Sequence, residues 1–273
     1  MLKQRVLTAL LLLPLALAAI FMLPAAWFLS LLAVILLWGT WEYSRLAGLS
    51  GQLSAYLLIA VQTVIFVSLY LLKDDWSNAI GLWLGASCIA WLLMFIRLAR
   101  YHPQTSPDAS YRLASFLTAI VSITCGWFAL SWVRTQPEGP WLILLLLLIV
   151  WAADTGAYFA GRAFGKRKLA PAISPGKTMA GLFGGLLLAP LVALAAVYLM
   201  PITGPGPLAL IALSLLSALI SVGGDLMISM HKRISGFKDS GNILPGHGGI
   251  LDRVDSLLAA APFFALGLLA AGL

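Results

Sequence analysis

Residues 229–255 read SMHKRISGFKDSGNILPGHGGILDRVD and lie between two long apolar runs. The stretch carries Ser229, the cations Lys232, Arg233, Lys238 and Arg253, the histidines His231 and His247, and the carboxylates Asp239, Asp252 and Asp255. Gly246, Gly248 and Gly249 cluster beside His247. A segment this polar in an apolar chain is either a solvated loop or a site. What the rest of the chain brings to the same place decides between them.

The rest is hydrocarbon-like. Of 273 residues, 61% are hydrophobic and 10% charged, whereas a soluble domain carries about 25% charged residues. A bilayer crossing takes roughly 20 apolar residues. Nine such runs can be read, near 6–23, 25–46, 54–72, 79–98, 115–133, 141–160, 179–200, 207–230 and 250–273. The expected fold is an all-α polytopic membrane protein with about nine transmembrane helices in a single transmembrane domain. Residues 1–135 would supply mainly apolar spans and residues 140–273 the catalytic part. The start of the chain, Lys3 and Arg5 before an apolar run with Ala16, Ala18 and Ala19, has the look of a signal peptide. More membrane sequence follows directly, so an uncleaved first span is expected, interrupted by Pro14 and closed by Pro24.

Charge gives the orientation. With nine spans, every Lys and Arg except Lys73 and Arg134 falls on the side of the N-terminus. The positive-inside rule makes that side cytoplasmic. The expected location is the cytoplasmic (inner) membrane, with the rich loops after spans six and eight facing the cytoplasm together. The net charge of +7 is too scattered between apolar runs for a nucleic-acid surface. It fits orientation and attraction for anionic head groups or nucleotides. Cys88 and Cys125 lie inside apolar runs and read as packing residues. The pairs Gly81/Gly85, Gly161/Gly165 and Gly181/Gly185 read as points of close helix approach.

Polar residues collect at the same end of several spans. Asp154 lies within an apolar run, where a carboxylate near a helix centre costs roughly 2.5–3.5 kcal/mol. Tyr158 and Arg162 share its helix face, so a structural pair with Arg162 is the plain alternative to a functional role. Residues 174–178, SPGKT, resemble the end of a P-loop, but Pro171 stands where its first glycine would be. Ser174 and Pro175 are expected to start a helix whose free N–H groups favour an anion, with Lys177 and Thr178 adding a cation and a hydroxyl. Asp225 lies about two turns before Lys232 and Arg233, and a snorkelling ion pair within that helix is its plain reading. Asp252 and Asp255 share a face at the start of span nine, where two acids also suit the helix dipole. His102 reads as an incidental loop residue. Carboxylates meeting at one level, ringed by Lys and Arg, suit phosphate chemistry. They can hold Mg²⁺, with room for a second cation, while the cations neutralise transferring phosphoryl oxygens.

At these residues the chain resembles the phosphatidate cytidylyltransferase (CDP-diacylglycerol synthase) family. The family signature has a Ser, a Lys-Arg pair, a Lys-Asp pair, a Pro-x-His-Gly-Gly turn and Asp-Arg-x-Asp. Here these are Ser229, Lys232-Arg233, Lys238-Asp239, Pro245 to Gly249, and Asp252 to Asp255. Asp154, Gly161-Arg162, Gly165-Lys166 and SPGKT resemble the family as well. His231 stands where the family has an apolar residue, and Ala180 where relatives commonly carry Glu or Gln. The resemblance implies transfer of the cytidylyl group of CTP to phosphatidate at a bilayer surface, with a homodimer plausible and no nucleic-acid partner. It implies metal ligation by Asp225, Asp252 and Asp255. Asp154, Lys177, Lys232, Arg233, Lys238, Asp239, His247, Arg253 and Asp255 would have catalytic roles. Ser174, Lys177, Thr178, Ser229, Gly248 and Gly249 would bind substrate. Two alternatives remain from the residues alone. One is a CTP-dependent membrane enzyme acting on a prenol or ether lipid. The other is a transporter, which would spread polar residues through both leaflets.

Overall fold

Without water to satisfy backbone groups, a chain inside a bilayer must pair them within each segment, and helices do so. The computed structural model describes residues 2–49, 51–101, 108–203 and 206–272; His102 lies outside them. Among the described residues nine α-helices form: α1 (Leu2–Met22), α2 (Ala25–Leu46), α3 (Gln52–Leu71), α4 (Trp76–Ala99), α5 (Ala109–Thr135), α6 (Gly139–Phe164), α7 (Met179–Leu199), α8 (Pro207–Ile234) and α9 (Leu251–Ala270). Eight of them are long and apolar enough to cross a membrane, while α1 contributes a shorter apolar run, Leu10–Met22. The protein is an all-α polytopic membrane protein.

Three local expectations change. Pro14 lies inside α1 without ending it, since a membrane helix tolerates a proline when neighbouring groups re-satisfy the backbone. The helices α6 and α8 each run one turn beyond their apolar stretches, so Arg162, Lys232 and Arg233 ride on helix rather than loop. Residues 174–178 do not start a helix. They form strand β2 (Ser174–Thr178), paired antiparallel with β1 (Lys168–Ala170). Pro175 and Gly176 are poor helix formers, and the hairpin brings the segment back along the end of the bundle to meet α7.

The helix α9 packs against α8, α5, α4 and α2 and forms the centre of the bundle. Ala259, Ala260, Ala261 and Phe264 are fully enclosed there. The helices α6 and α7 make the closest pairing. Cβ atoms on Gly181 and Gly185 of α7 would run into the carbonyls of Ala157 and Ala153 on α6. The glycine pair of α7 therefore has the packing role read from the sequence, but Gly81 and Gly85 do not. Gly85 faces open space and Gly81 has only an ordinary contact with Leu269. Replacing Gly185 by Leu is expected to push α6 and α7 apart and to destabilise the protein by about 1–3 kcal/mol. A lowered thermal midpoint in detergent would show it; an unchanged midpoint would mean the two helices are not held this closely.

Candidate active site

The hairpin after α6 delivers the first group. Thr178 closes β2 and is the N-cap of α7, with Oγ1 accepting from Gly181 N–H at 3.1 Å. The oxygen serves the helix start as acceptor, and Thr178 also lines a cavity beside Asp154 and Lys177. Lys177, one residue earlier, extends to α8, where its Nζ lies 2.7 Å from Asp225 Oδ2. Ser229, one turn along α8, donates to Asp225 Oδ1 at 3.0 Å. Asp225 thus pairs across elements, and not with Lys232 on its own helix.

Asp225 faces α9 at a point of unusually close approach. A Cβ on Gly224 would collide with the carbonyl of Asp255, so the glycine lets α8 and α9 bring these two carboxylates to one cavity. Asp255 is 7% exposed and its Oδ1 accepts from Ser256 N–H at 2.7 Å. Asp154 enters from α6 and is exposed to the same cavity. Arg162 donates to Tyr158 Oη at 3.2 Å, so Asp154 is not the structural partner of Arg162. The cavity has a volume of about 390 Å³ and is lined by Asp154, Asp225, Asp239, Asp252, Asp255, Lys232 and Arg253. A second, more apolar cavity of about 200 Å³ shares Asp154 and is lined by Ala157, Leu169, Lys177, Leu182 and Val222.

Asp252 is bound on both oxygens. Lys232 Nζ lies 2.7 Å from Oδ1, while Ser240 N–H and Gly249 N–H reach Oδ2 at 2.8 and 3.1 Å. Gly248 has φ +81° and lies against the Asp252 carboxylate, so a side chain there would meet both backbone strain and a steric clash. Asp252 therefore organises the turn and anchors Lys232, whose ammonium in turn borders the cavity.

The pattern of carboxylates and cations around one cavity can be set beside known proteins. A cytidylyltransferase family profile matches residues 3–270. The chain is 41% identical to a phosphatidate cytidylyltransferase of Pseudomonas aeruginosa, covering 100% of this chain and 98% of that one. It is 36% identical to a phosphatidate cytidylyltransferase of Haemophilus influenzae, with 97% of each chain covered. A Staphylococcus aureus phosphatidate cytidylyltransferase shares 47% identity over 129 residues, 47% of this chain and 49% of that one. The chain belongs to the cytidylyltransferase family.

The residues read from the family signature divide into two groups in this structure. Asp154, Asp225, Asp239, Asp252, Asp255, Lys232 and Arg253 line the polar cavity, and Lys177 touches it through Asp225. Others support the walls. Arg233 Nε donates to Ile173 O at 2.9 Å and fastens the hairpin to α8. His247 offers its carbonyl to Arg253 Nε at 3.0 Å, while its Nδ1 is buried with no hydrogen-bond partner among the described residues. Lys238 is exposed and Ser174 lies in β2, both away from the cavity lining. His231, the departure from the family pattern, is fully buried between Tyr43 and Tyr111 with Nδ1 2.8 Å from Met227 O. It is a packed core residue.

For Mg²⁺, the donor set is carboxylate oxygen, which suits a hard cation. Among the described residues no three His, Cys, Asp or Glu side chains converge into a closed metal cage. The arrangement fits the looser mode of Mg²⁺, one or two carboxylates plus waters and substrate phosphates. Asp225 and Asp255 bring two carboxylates to one cavity, with Asp225 bonded to Lys177 and Ser229 and Asp255 bonded to Ser256 N–H through Oδ1 alone; Asp252 lines the same cavity and is bonded to Lys232 and two backbone N–H groups.

Sequence reasoning missed Glu42. Glu42 is the only acidic residue in the five N-terminal helices, and a lone carboxylate in an apolar run was the available signal. It reaches the signature stretch from α2, through Ser240, Ile250 and Leu251. The same end of α2 grips that stretch further. Ser235 Oγ and Tyr111 Oη both donate to Leu46 O, and Arg45 lies 4.9 Å over the Phe237 ring.

Proposed function

We propose that the chain transfers the cytidylyl group of CTP to phosphatidate, giving CDP-diacylglycerol and pyrophosphate. The observation that carries this reading is Asp154 standing in the walls of two cavities of opposite character. The polar one, ringed by Asp225, Asp255, Lys232 and Arg253, suits a triphosphate. The apolar one suits the glycerol and acyl part of a lipid whose tails stay in the bilayer. Phosphate groups of both substrates would then meet near Asp154. Membership in the family and the names of the relatives support the same reaction.

Lys177, Lys232 and Arg253 supply the positive charge that allows two polyanions to approach one another. A phosphate oxygen of phosphatidate attacks the α-phosphorus of CTP. The bond from that phosphorus to the bridging oxygen of the β-phosphate breaks, and its electron pair leaves with pyrophosphate. A phosphate monoester is already largely anionic at neutral pH, so no side chain is assigned as general base. Asp225 and Asp255 would hold Mg²⁺, which would supply positive charge to neutralise the transferring group. The reading also puts the ends of α6 and α8 at the cytoplasmic face of the inner membrane, where CTP is available.

The test is purified protein in detergent with CTP, Mg²⁺ and either phosphatidate or a prenol. Label from the α-phosphate of CTP is expected in CDP-diacylglycerol; label from the γ-phosphate in a prenyl phosphate would overturn the reading. Lys177→Ala removes one charge-assisted hydrogen bond, worth ~1.5–3 kcal/mol, and is expected to raise the KM for CTP about tenfold. Initial rates across a CTP series measure it, and an unchanged KM would remove Lys177 from nucleotide binding.

A further inference from the structure

Glu42 lies near the end of α2 and is 2% exposed. Its Oε2 accepts from Ser240 Oγ at 2.9 Å and from Leu251 N–H at 2.8 Å, and its Oε1 accepts from Ile250 N–H at 3.0 Å. The same two chain segments serve Asp252, whose Oδ2 accepts from Ser240 N–H and Gly249 N–H. Ser240 gives its hydroxyl to one carboxylate and its N–H to the other. Residues 240 and 249–251 are therefore pinned by two carboxylates, one from each half of the chain.

A simple helix cap does not account for this. The helix α9 has no capping side chain of its own at Ile250, so Glu42 does satisfy N–H groups there. Yet it also holds Ser240, which lies before the glycine turn, and it is fitted closely to the backbone on both sides of that turn. A Cβ on Gly241 or on Gly249 would collide with the Glu42 carboxylate. The space is shaped for that one side chain, and the carboxylate ties from the α2 side the same two segments that Asp252 bridges from the cavity side.

We propose that Glu42 is a positioning residue for the reaction, acting through the Ser240–Asp252 contact to hold Lys232 and Arg253 at the polar cavity. The proposal rests on the reading of that cavity as the reaction site. Asp252 accepts the Lys232 ammonium on one oxygen and the Glu42-anchored segments on the other. Loosening those segments lets the carboxylate turn, and the ammonium turns with it. Arg253, next in sequence and bonded to His247 O in the same turn, moves as well. An N-terminal helix that lines neither of the two cavities thereby sets the geometry of the C-terminal half.

The test is a mutant cycle with Glu42→Gln and Asp252→Asn in the full-length detergent-purified protein, assayed well below each variant's thermal midpoint. Glu42→Gln keeps the shape and replaces one acceptor with a donor that opposes Ser240 or a backbone N–H. Its kcat is expected to fall about 10- to 100-fold, the usual loss when a supporting partner of a functional group is removed. In the Asp252→Asn background the same change should cost less than about twofold, because residues acting through one another are not additive. Ser240→Ala, which removes only the hydroxyl, should lower kcat in the same direction and carries the test if Glu42→Gln fails to fold. A wild-type kcat in both Glu42→Gln and Ser240→Ala, or losses that multiply fully in the double variant, would overturn the positioning role. A wild-type protein that forms no CDP-lipid would instead overturn the catalytic reading itself.

Discussion

Asp225→Asn is expected to reduce kcat by roughly 10²–10³-fold, the loss seen when one preorganised charge-stabilising group is removed from a reacting centre. The variant should still insert and fold. Asn preserves the shape of the side chain and its bond with Ser229. What disappears is the negative charge that holds Lys177 Nζ at 2.7 Å and that would share a cation with Asp255. No neighbouring group replaces it, because Asp252 is already engaged and Asp154 arrives from a different helix. Rates of CDP-lipid formation across a Mg²⁺ series, with thermal midpoints in parallel, make the measurement. Near-normal turnover would remove Asp225 from the reaction site.

Lys232→Ala is expected to act first on stability. The Lys232 and Asp252 side chains are 12% and 5% exposed, with the ammonium 2.7 Å from Oδ1. Removing the lysine leaves a buried carboxylate supported by two backbone N–H groups and no counter-charge. Breaking such a pair from one side costs about 3–5 kcal/mol, and the two remaining donors place this case toward the lower figure. Adding Asp252→Asn should restore much of the loss, since it removes the stranded charge while leaving a polar group for Ser240 and Gly249. Thermal denaturation of the single and double variants in detergent tests both statements. If the double variant is no more stable than Lys232→Ala, the cost does not come from an unpaired Asp252. Turnover should fall in both variants, because Lys232 borders the cavity.

These expectations depend on pairings that do not follow from sequence spacing. Neighbours on a helix surface suggested Asp225 with Lys232 and Asp154 with Arg162. In the structure Asp225 meets Lys177, Lys232 meets Asp252, and Arg162 turns to Tyr158. Those pairs lie two turns apart, with a rise of roughly 10–12 Å along the helix, so a better-placed partner on another element readily wins. The segment 174–178 was misread for a related reason. Its Lys177 and Thr178 were legible as chemistry, but nothing local distinguished a helix start at Ser174 from one at Met179 preceded by a strand.

The sequence by itself determined the class of fold and the signature residues from Ser229 to Asp255. Bilayer crossing requires long apolar runs, and a run is a property of the chain alone. Tertiary structure decided which carboxylates share a cavity, which cation each one holds, and that α2 takes part at all. Glu42 shows why. In a medium of low dielectric constant a buried carboxylate is tolerated only where donors converge on it. Its donors, Ser240, Ile250 and Leu251, come together there only after α2 and α9 have packed.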